Sequence, residues 1–451
     1  MPSADAIHSV TRSKLRRACT CIFLLAATMQ APPSPAQSNP SNGPPQPVFR
    51  VVYQRVRDFP FAMDAPTYKN IFAFDTDGGV ERPLTTDNHS FSPVLSPDGS
   101  KIAYIHIKSE TCEGCLLQAQ YELYVMNADG SDPHPVAALQ SPISQKRWSP
   151  DSQGISYTEW GERDSRYSLV SGSPLFYSKV DGTTSPLVLT QDAVGDFEWS
   201  PDGKWIVHGC TAQQTLPRLR GNLCLTGLGE HRDPVVLSKE PIPFGYFWSP
   251  DSSRIGFIEG GIKSHAILVA GTDGSQTKVL TSIRSILISL KWSPDGTQIV
   301  FVDSEHGKSN IFRMNADGSN RQRLTEPKQR ASDPVWSPDG KQIAFSAAVH
   351  DLLQVHIMNA DGSRLRQITH EKKSDCSGHW RLPQSRLLLI SCGSARPVLN
   401  GPPRMVEKPW LALLDVDDPA GAQRRLASDI QAPVSFAPIP SPRSSASPAA
   451  H

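Results

Sequence analysis

The sequence predicts an all-β fold, a β-propeller of four-stranded blades, and three observations carry that reading. A phrase of the form Trp-Ser-Pro-Asp-Gly recurs at Leu95, Trp148, Trp199, Trp248, Trp292 and Trp336, with a decayed copy at Trp380, so that successive starts lie 44 to 53 residues apart. A second phrase of the form Asn-Ala-Asp-Gly alternates with it, as in "LYVMNADGS", "IFRMNADGS" and "VHIMNADGS", and is followed by short runs such as "RQRLT". The stretches between are rich in β-branched and aromatic residues, several of them apolar at consecutive positions, as in strands covered on both faces.

Both phrases are turn chemistry. Proline presets φ at the second turn position, aspartate accepts backbone N–H bonds, and glycine tolerates the positive φ by which a hairpin leaves the turn. Asp98, Asp151, Asp202, Asp251, Asp295 and Asp339 therefore belong to the frame of the fold. Each unit reads as four strands: one ending at Trp, one after the first Asp-Gly, one before the second, and one ending in Leu-Thr. Four-stranded units of this length, punctuated by turns, point to propeller blades, with a solenoid as the alternative. The recurrent Trp reads as a packing residue between blades.

Eight second hairpins face only seven Trp-type first strands, and the unit lacking one is the first, "VFRVVYQRV" followed by "NIFAFDTDGG" and "ERPLT". The C-terminal "APVSFAP", Ala432 to Pro438, resembles "DPVWSP", with Phe436 at the Trp position. This segment is expected to supply the missing innermost strand, giving eight blades rather than seven or six and pairing the two chain ends so that no sheet edge is left open.

The paired Trp-Ser-Pro-Asp-Gly and Asn-Ala-Asp-Gly phrases resemble the repeats of TolB-type β-propellers, over nearly all of Val48 to Pro440. The resemblance implies the fold, and for TolB itself a periplasmic role with an envelope lipoprotein. TolB pairs a six-bladed propeller with an N-terminal α/β domain, whereas this sequence has more units and no room for such a domain before Val48, so the likeness is to the repeat and not to TolB itself. Similar propellers precede the hydrolase domain of prolyl oligopeptidase relatives, yet only a short tail follows the last unit here.

Residues 1–36 have the three-part form of a secretory signal: a basic stretch (Arg12, Lys14, Arg16, Arg17), the apolar run "ACTCIFLLAATM", and small residues at Ser34 and Ala36. The twelve-residue run is far short of the roughly 20 residues that span a bilayer. Residues 37–47 read as a disordered linker, 48–440 as one propeller and 441–451 as a disordered tail. The expectation is a periplasmic or secreted monomer with no transmembrane segment in the mature chain. With 45 basic and 44 acidic residues the net charge is +1, so no global field draws the chain to nucleic acid.

Six cysteines lie beyond the signal segment, and an oxidising compartment would pair them. Cys210 and Cys224 flank one loop symmetrically and Cys376 and Cys392 another, so that antiparallel pairing places each couple within bonding reach. That leaves Cys112 with Cys115; their Cys-Glu-Gly-Cys spacing could also serve redox chemistry, but it interrupts a β-hairpin rather than opening a helix.

No Gly-x-Ser-x-Gly elbow, His-Glu-x-x-His pair or phosphate-cradling glycine loop occurs. "DTDGG" and "DVDD" have the look of calcium loops but lack the run of ligands ending in Glu. His89 and His379, near the expected channel mouths, are too few for a histidine metal cluster, and neither metal nor cofactor is expected. The sequence therefore points to a non-enzymatic binding or scaffold module for a protein or other cell-envelope component, with a polysaccharide-directed propeller enzyme, its site at the central channel, as the alternative. The connections between second and third strands are long in five units that ring closure makes adjacent. Together they would form a crescent bearing Phe59, Phe61, Tyr68, Trp160, Tyr167 and Trp410 among Arg57, Arg163, Arg166, Arg218, Arg220, Arg396 and Arg404, an aromatic and arginine mixture typical of binding hot spots.

Overall fold

The computed structural model describes residues 49–56, 69–75, 80–113, 116–159, 172–210, 222–228, 234–238, 244–260, 265–284, 289–305, 308–326, 330–349 and 352–370, and beyond these the strands within 375–438. Among the described residues all regular structure is β. The first unit contains β1 (Phe49–Val56), β2 (Lys69–Asp75) and β3 (Arg82–Pro83); the second β4 (Ser90–Leu95), β5 (Lys101–Glu113), β6 (Leu116–Asn127) and β7 (His134–Leu139). Then come β8 (Ile143–Trp148), β9 (Gly154–Glu159), β10 (Ser173–Lys179), β11 (Leu187–Trp199), β12 (Trp205–Cys210), β13 (Asn222–Gly227) and β14 (Val235–Val236), joined in one seven-stranded sheet. Three four-stranded units follow: β15 (Phe244–Trp248) to β16 (Arg254–Gly260), β17 (His265–Gly271) and β18 (Lys278–Ile283); β19 (Leu290–Trp292) to β20 (Gln298–Glu305), β21 (Lys308–Asn315) and β22 (Gln322–Arg323); β23 (Ala331–Trp336) to β24 (Gln342–Val349), β25 (Leu352–Asn359) and β26 (Arg366–Gln367). The last unit is β27 (Asp375–Trp380), β28 (Arg386–Ser391), β31 (Trp410–Asp415) and β32 (Gln423–Ser428), with the hairpin β29 (Ser394–Val398) and β30 (Gly401–Glu407) inserted, and β33 (Gln431–Pro438) ends the fold. Every ladder within these sheets is antiparallel, as hairpin-connected strands must be.

β33 does not extend the last unit. It pairs with β1, setting Phe436 opposite Val51 and Ser435 opposite Val52, so the first sheet runs β3-β2-β1-β33 and its innermost strand comes from the far end of the chain.

The repeated turn works as its chemistry requires. Ser96, Ser200, Ser249 and Ser337 donate their hydroxyls to the aspartate two residues on at 2.6 Å. The same carboxylate accepts the amide two residues further, as in Thr297 N to Asp295 at 3.1 Å, while the turn glycine donates to the serine carbonyl, as in Gly296 to Ser293 at 2.9 Å. Two turns carry Ser152 and Ser252 where the others have glycine, and both adopt the left-handed conformation, at φ 62° and 60°. Each offsets that cost by accepting, on its hydroxyl, the amide of the turn aspartate in the preceding unit: Asp98 to Ser152 at 3.2 Å and Asp202 to Ser252 at 2.9 Å.

These bonds favour ionised aspartates. The serine hydroxyls at Asp251, Asp295 and Asp339, and those of Ser131, Ser275, Ser319 and Ser363 at Asp129, Asp273, Asp317 and Asp361, pull these carboxyls below their usual range. A depressed folded-state value means stability is fully present above the unfolded aspartate value of about 4 and is lost as pH falls through the lower, folded values. Melting temperature followed from pH 6 to pH 2 should therefore be flat at first and fall below about pH 4. Asp295→Asn should shrink the fall slightly, and a melting temperature independent of pH down to 2 would contradict the account.

The core lies between units, not within them. One cluster joins Phe247, Ile258, Ile267 and Val269 of one unit to Trp292, Ile299, Phe301 and Met314 of the next; others join Val52 and Ile71 to Leu95 and Met126, and Val300 and Ile311 to Trp336 and Ile343. The recurrent Trp does more than pack. At four junctions its indole N–H donates to the carbonyl just before the aromatic position of the preceding unit: Trp148 to Val94 at 2.9 Å, Trp248 to Glu198 at 3.5 Å, Trp292 to Phe247 at 3.4 Å and Trp336 to Lys291 at 3.3 Å, whereas the buried Trp199 indole has no such partner. Aromatic bulk and one polar tip thus serve the same junction.

Three expectations need correction. The connection at "IKSETCEGCLLQAQY" is largely ladder rather than loop, since β5 and β6 stay paired as far as Glu113 opposite Leu116. The one at "GSARPVLNGPPRMVEKP" contains the β29–β30 hairpin. Cys210 and Cys224 are bonded, with Cα atoms 5.8 Å apart, but they stand diagonally: Cys210 opposes Asn222 and Cys224 opposes His208. The hairpin is centred one residue from where the symmetric spacing puts it, and a disulfide tolerates the offset because both side chains share one face. Cys112 and Cys376 lie in β5 and β27, while Cys115 and Cys392 fall outside the described residues, as do residues 1–47 and 439–451.

Candidate functional site

Four of the innermost strands share a kink. Just before the aromatic position the ladder slips between Phe91 and Val94, Val194 and Phe197, Phe244 and Tyr246, and Ser332 and Val335. The residue there adopts positive φ: Ser92 at 55°, Gly195 at 75°, Gly245 at 58° and Asp333 at 52°. Such bulges bend a strand and re-aim its side chains.

Because side chains alternate along a strand, the residue before the buried Trp can turn away from the junction core toward the inner wall, as Arg147, Glu198 and Lys291 do, whereas Phe247 and Val94 pack at the junctions. At that position stand Val94, Arg147, Glu198, Phe247, Lys291 and Val335. Arg147, Glu198 and Lys291 are exposed and form a mixed-charge patch contributed by β8, β11 and β19. Arg147 bonds Asp196 at 3.2 Å and the Phe197 carbonyl at 3.4 Å. Enclosure by protein raises the Glu198 carboxyl above its usual value, Arg147 and Lys291 pull it back, and Asp196 adds to the rise. Glu198 keeps contact with solvent while protein surrounds it. The Tyr246 hydroxyl beside it is buried with no hydrogen-bond partner. Such a wall can hold a polar ligand carrying both signs of charge.

At the start of β4, His89 turns its Nδ1 to the Asp87 carbonyl at 2.6 Å, and its ring lies 6.5 Å from that of His106, which pairs with Asp87 at 3.3 Å. His379 lies in β27, opposite Leu388. Among the described residues no group of three or more His, Cys, Asp or Glu side chains is arranged to hold a metal ion.

The second-to-third-strand connections differ sharply between units. They are tight at Gly260 opposite His265, Glu305 opposite Lys308 and Val349 opposite Leu352. They are long where β5 and β6 extend and where β29–β30 is inserted. Of the crescent, Arg57, Phe59, Phe61, Tyr68, Trp160, Arg163, Arg166, Tyr167, Arg218 and Arg220 lie outside the described residues. Arg396 and Arg404 oppose each other across β29 and β30, and Trp410 opens β31 opposite Ser391.

The TolB beta propeller domain family matches residues 228–398. Over those residues the chain matches a TolB-type β-propeller. Among curated proteins this propeller resembles "Uncharacterized peptidase YuxL" of Bacillus subtilis (strain 168), 28% identical over 32% of this chain and 26% of the relative. The propeller thus spans about a quarter of that relative's length. Among solved structures, the dipeptidyl peptidase 4 of Porphyromonas gingivalis aligns with 83% of this chain and 60% of its own at a TM-score of 0.54 and 11% identity, a likeness of fold alone. TolB from Acinetobacter baumannii aligns over 86% of this chain and 83% of its own at a TM-score of 0.38 and 16% identity.

Sequence reasoning assigned the inner-wall charges no role and passed over Lys146, a buried lysine on β8. A signal was present: two residues before the aromatic position the sister strands carry Pro93, Phe197, Tyr246, Leu290 and Pro334, and only β8 places an ammonium-bearing side chain there.

Proposed function

We propose that this TolB-type propeller is an exported binding module of eight blades that engages a protein or other cell-envelope component through the face carrying its long second-to-third-strand connections. The observation that carries the reading is the contrast between units. Three consecutive units turn tightly on this face, whereas the β5–β6 ladder and the β29–β30 hairpin extend from it. Pairing of β33 with β1 makes the last unit a neighbour of the first, and β33 also packs beside β4. The elaborated connections then fall on one continuous arc. Extended hairpins with aromatic and arginine side chains suit a partner surface, where such residues dominate binding energy. Among the described residues no helix is long and apolar enough to cross a membrane.

The test is Trp160, Arg166 and Trp410 replaced together by Ala. The melting temperature should stay within about 2 °C of the parent, as expected of surface changes, while envelope components recovered by in-cell crosslinking should be lost. Equal loss on substituting the tight-turn side of the ring, or undiminished capture by the triple variant, would place the partner elsewhere.

A further inference from the structure

We propose that Ser92 and Lys146 form a serine–lysine pair in which Ser92 Oγ is a nucleophile toward small uncharged carboxylic esters. The inference stands apart from the binding arc, because both residues lie on innermost strands at the junction between the second and third units. Lys146 Nζ lies 2.6 Å from Ser92 Oγ. Lys146 is buried, at 9% exposure, whereas Ser92 is only half-buried, so the base is dry and the nucleophile is reachable.

The backbone presents the hydroxyl. Ser92 is the bulged residue of β4, held at φ 55°, a conformation a serine adopts at some cost and one that over-determined functional turns exploit. Its amide is fixed by Gln54 Oε1 at 2.8 Å, which brings the carboxamide of a third unit to the site with its Nε2 as an N–H donor on the same group. Sister strands repeat the bulge with Gly195, Gly245 and Asp333 but not the pair. Nothing about the bulge itself demands a serine facing a lysine.

The chemistry follows from burial. A lysine with no counter-charge is disfavoured as an ammonium in a dry junction, and burial alone pushes Lys146 down to about 7. Its neutral amine accepts a proton from Ser92, the activation that serine–lysine hydrolases rely on. Ser92 Oγ then adds to the ester carbonyl and its proton passes to Nζ. As the carbonyl re-forms, the alkoxide leaves with that proton. Water attacks the acyl-serine, giving one proton to Nζ and releasing the acid, and Nζ returns the proton to Oγ. An uncharged ester suits a junction at which Val94 packs against a cluster of apolar side chains and the lysine amine is neutral.

The experiment uses the full chain, a fluorophosphonate probe and p-nitrophenyl acetate. Peptide mapping should find a single phosphonyl adduct at Ser92, with fluoride released, and the labelling rate should rise as pH passes through about 7. Ser92→Ala should abolish the adduct. Lys146→Met should slow labelling roughly 100-fold, the scale of a lost general base. Sister strands already hold apolar residues at that position, so this variant should fold with an unchanged or raised melting temperature. Acetate ester turnover should follow the labelling. Absence of a Ser92 adduct, or equal labelling of the folded Lys146→Met variant, would overturn the proposal and leave the pair as a structural contact between units.

Discussion

A chain lacking residues 431–451 is expected to melt about 5 to 10 °C below the parent, or to be recovered largely as oligomers. β33 contributes six paired positions along β1, from Phe49 opposite Pro438 to Gln54 opposite Gln431. Net hydrogen-bond contributions of roughly 0.5 to 1.5 kcal/mol each give a loss on the order of 5 kcal/mol, a large fraction of the 5 to 15 kcal/mol by which a typical domain is stable. The deletion also bares the inner edge of β1, whose Val51, Val52 and Tyr53 are all at most 1% exposed. An exposed apolar edge is a template for another chain. Thermal melting and size-exclusion chromatography check both halves, and an unchanged melting temperature in a monomer would show that the closing strand contributes nothing.

The second large effect is expected at Trp292. Its ring belongs to the cluster that joins two units, its indole bonds the Phe247 carbonyl, and the Arg254 guanidinium sits 4.7 Å above it. Trp292→Ala should cost about 3 to 5 kcal/mol, since the cavity opens at a junction where neither rigid sheet can collapse inward. Trp292→Phe keeps most of the buried area and loses the cross-junction bond, so about 1 kcal/mol is expected. Leu95, which fills the equivalent position without any polar tip, shows that the bond is an addition to packing rather than a condition of it. Denaturant titration separates the two, and equal costs for both variants would mean that area is not the dominant quantity.

Much of the fold was legible because each turn encodes its own geometry. Ser, Asp and Gly at fixed offsets satisfy the same hydrogen bonds wherever they occur, so repetition of the letters is repetition of the hairpin. The closing strand was legible for a related reason: "APVSFAP" repeats the form of "DPVWSP", with Phe436 at the Trp position, and it pairs with β1. Connections carry no such constraint. "IKSETCEGCLLQAQY" and "GSARPVLNGPPRMVEKP" contain glycine, proline and charge that suit a loop, yet ladder pairing overrides that composition at Thr111 opposite Gln118 and at Arg396 opposite Arg404. The one-residue offset of the Cys210–Cys224 hairpin escaped because symmetric spacing fixes a hairpin's centre only when its turn is known. At the candidate sites the obstacle was different. Arg147, Glu198 and Lys291 stand 44 or more residues apart, and nothing local marks them as neighbours until the strands are stacked. Lys146 was visible only as an exception to a column, and its partner Ser92 looks like an ordinary strand residue until the bulge gives it a left-handed backbone.

The 13-residue strand β11 has a mechanical meaning. It leaves β10 as the outer strand of one unit and arrives at β12 as the innermost strand of the next, kinked at Gly195 but with no loop between. At other junctions a connection of irregular backbone can absorb a shift between neighbouring sheets. Here a displacement of one sheet is carried along a hydrogen-bonded beam into the other. These two units are thereby splinted to each other.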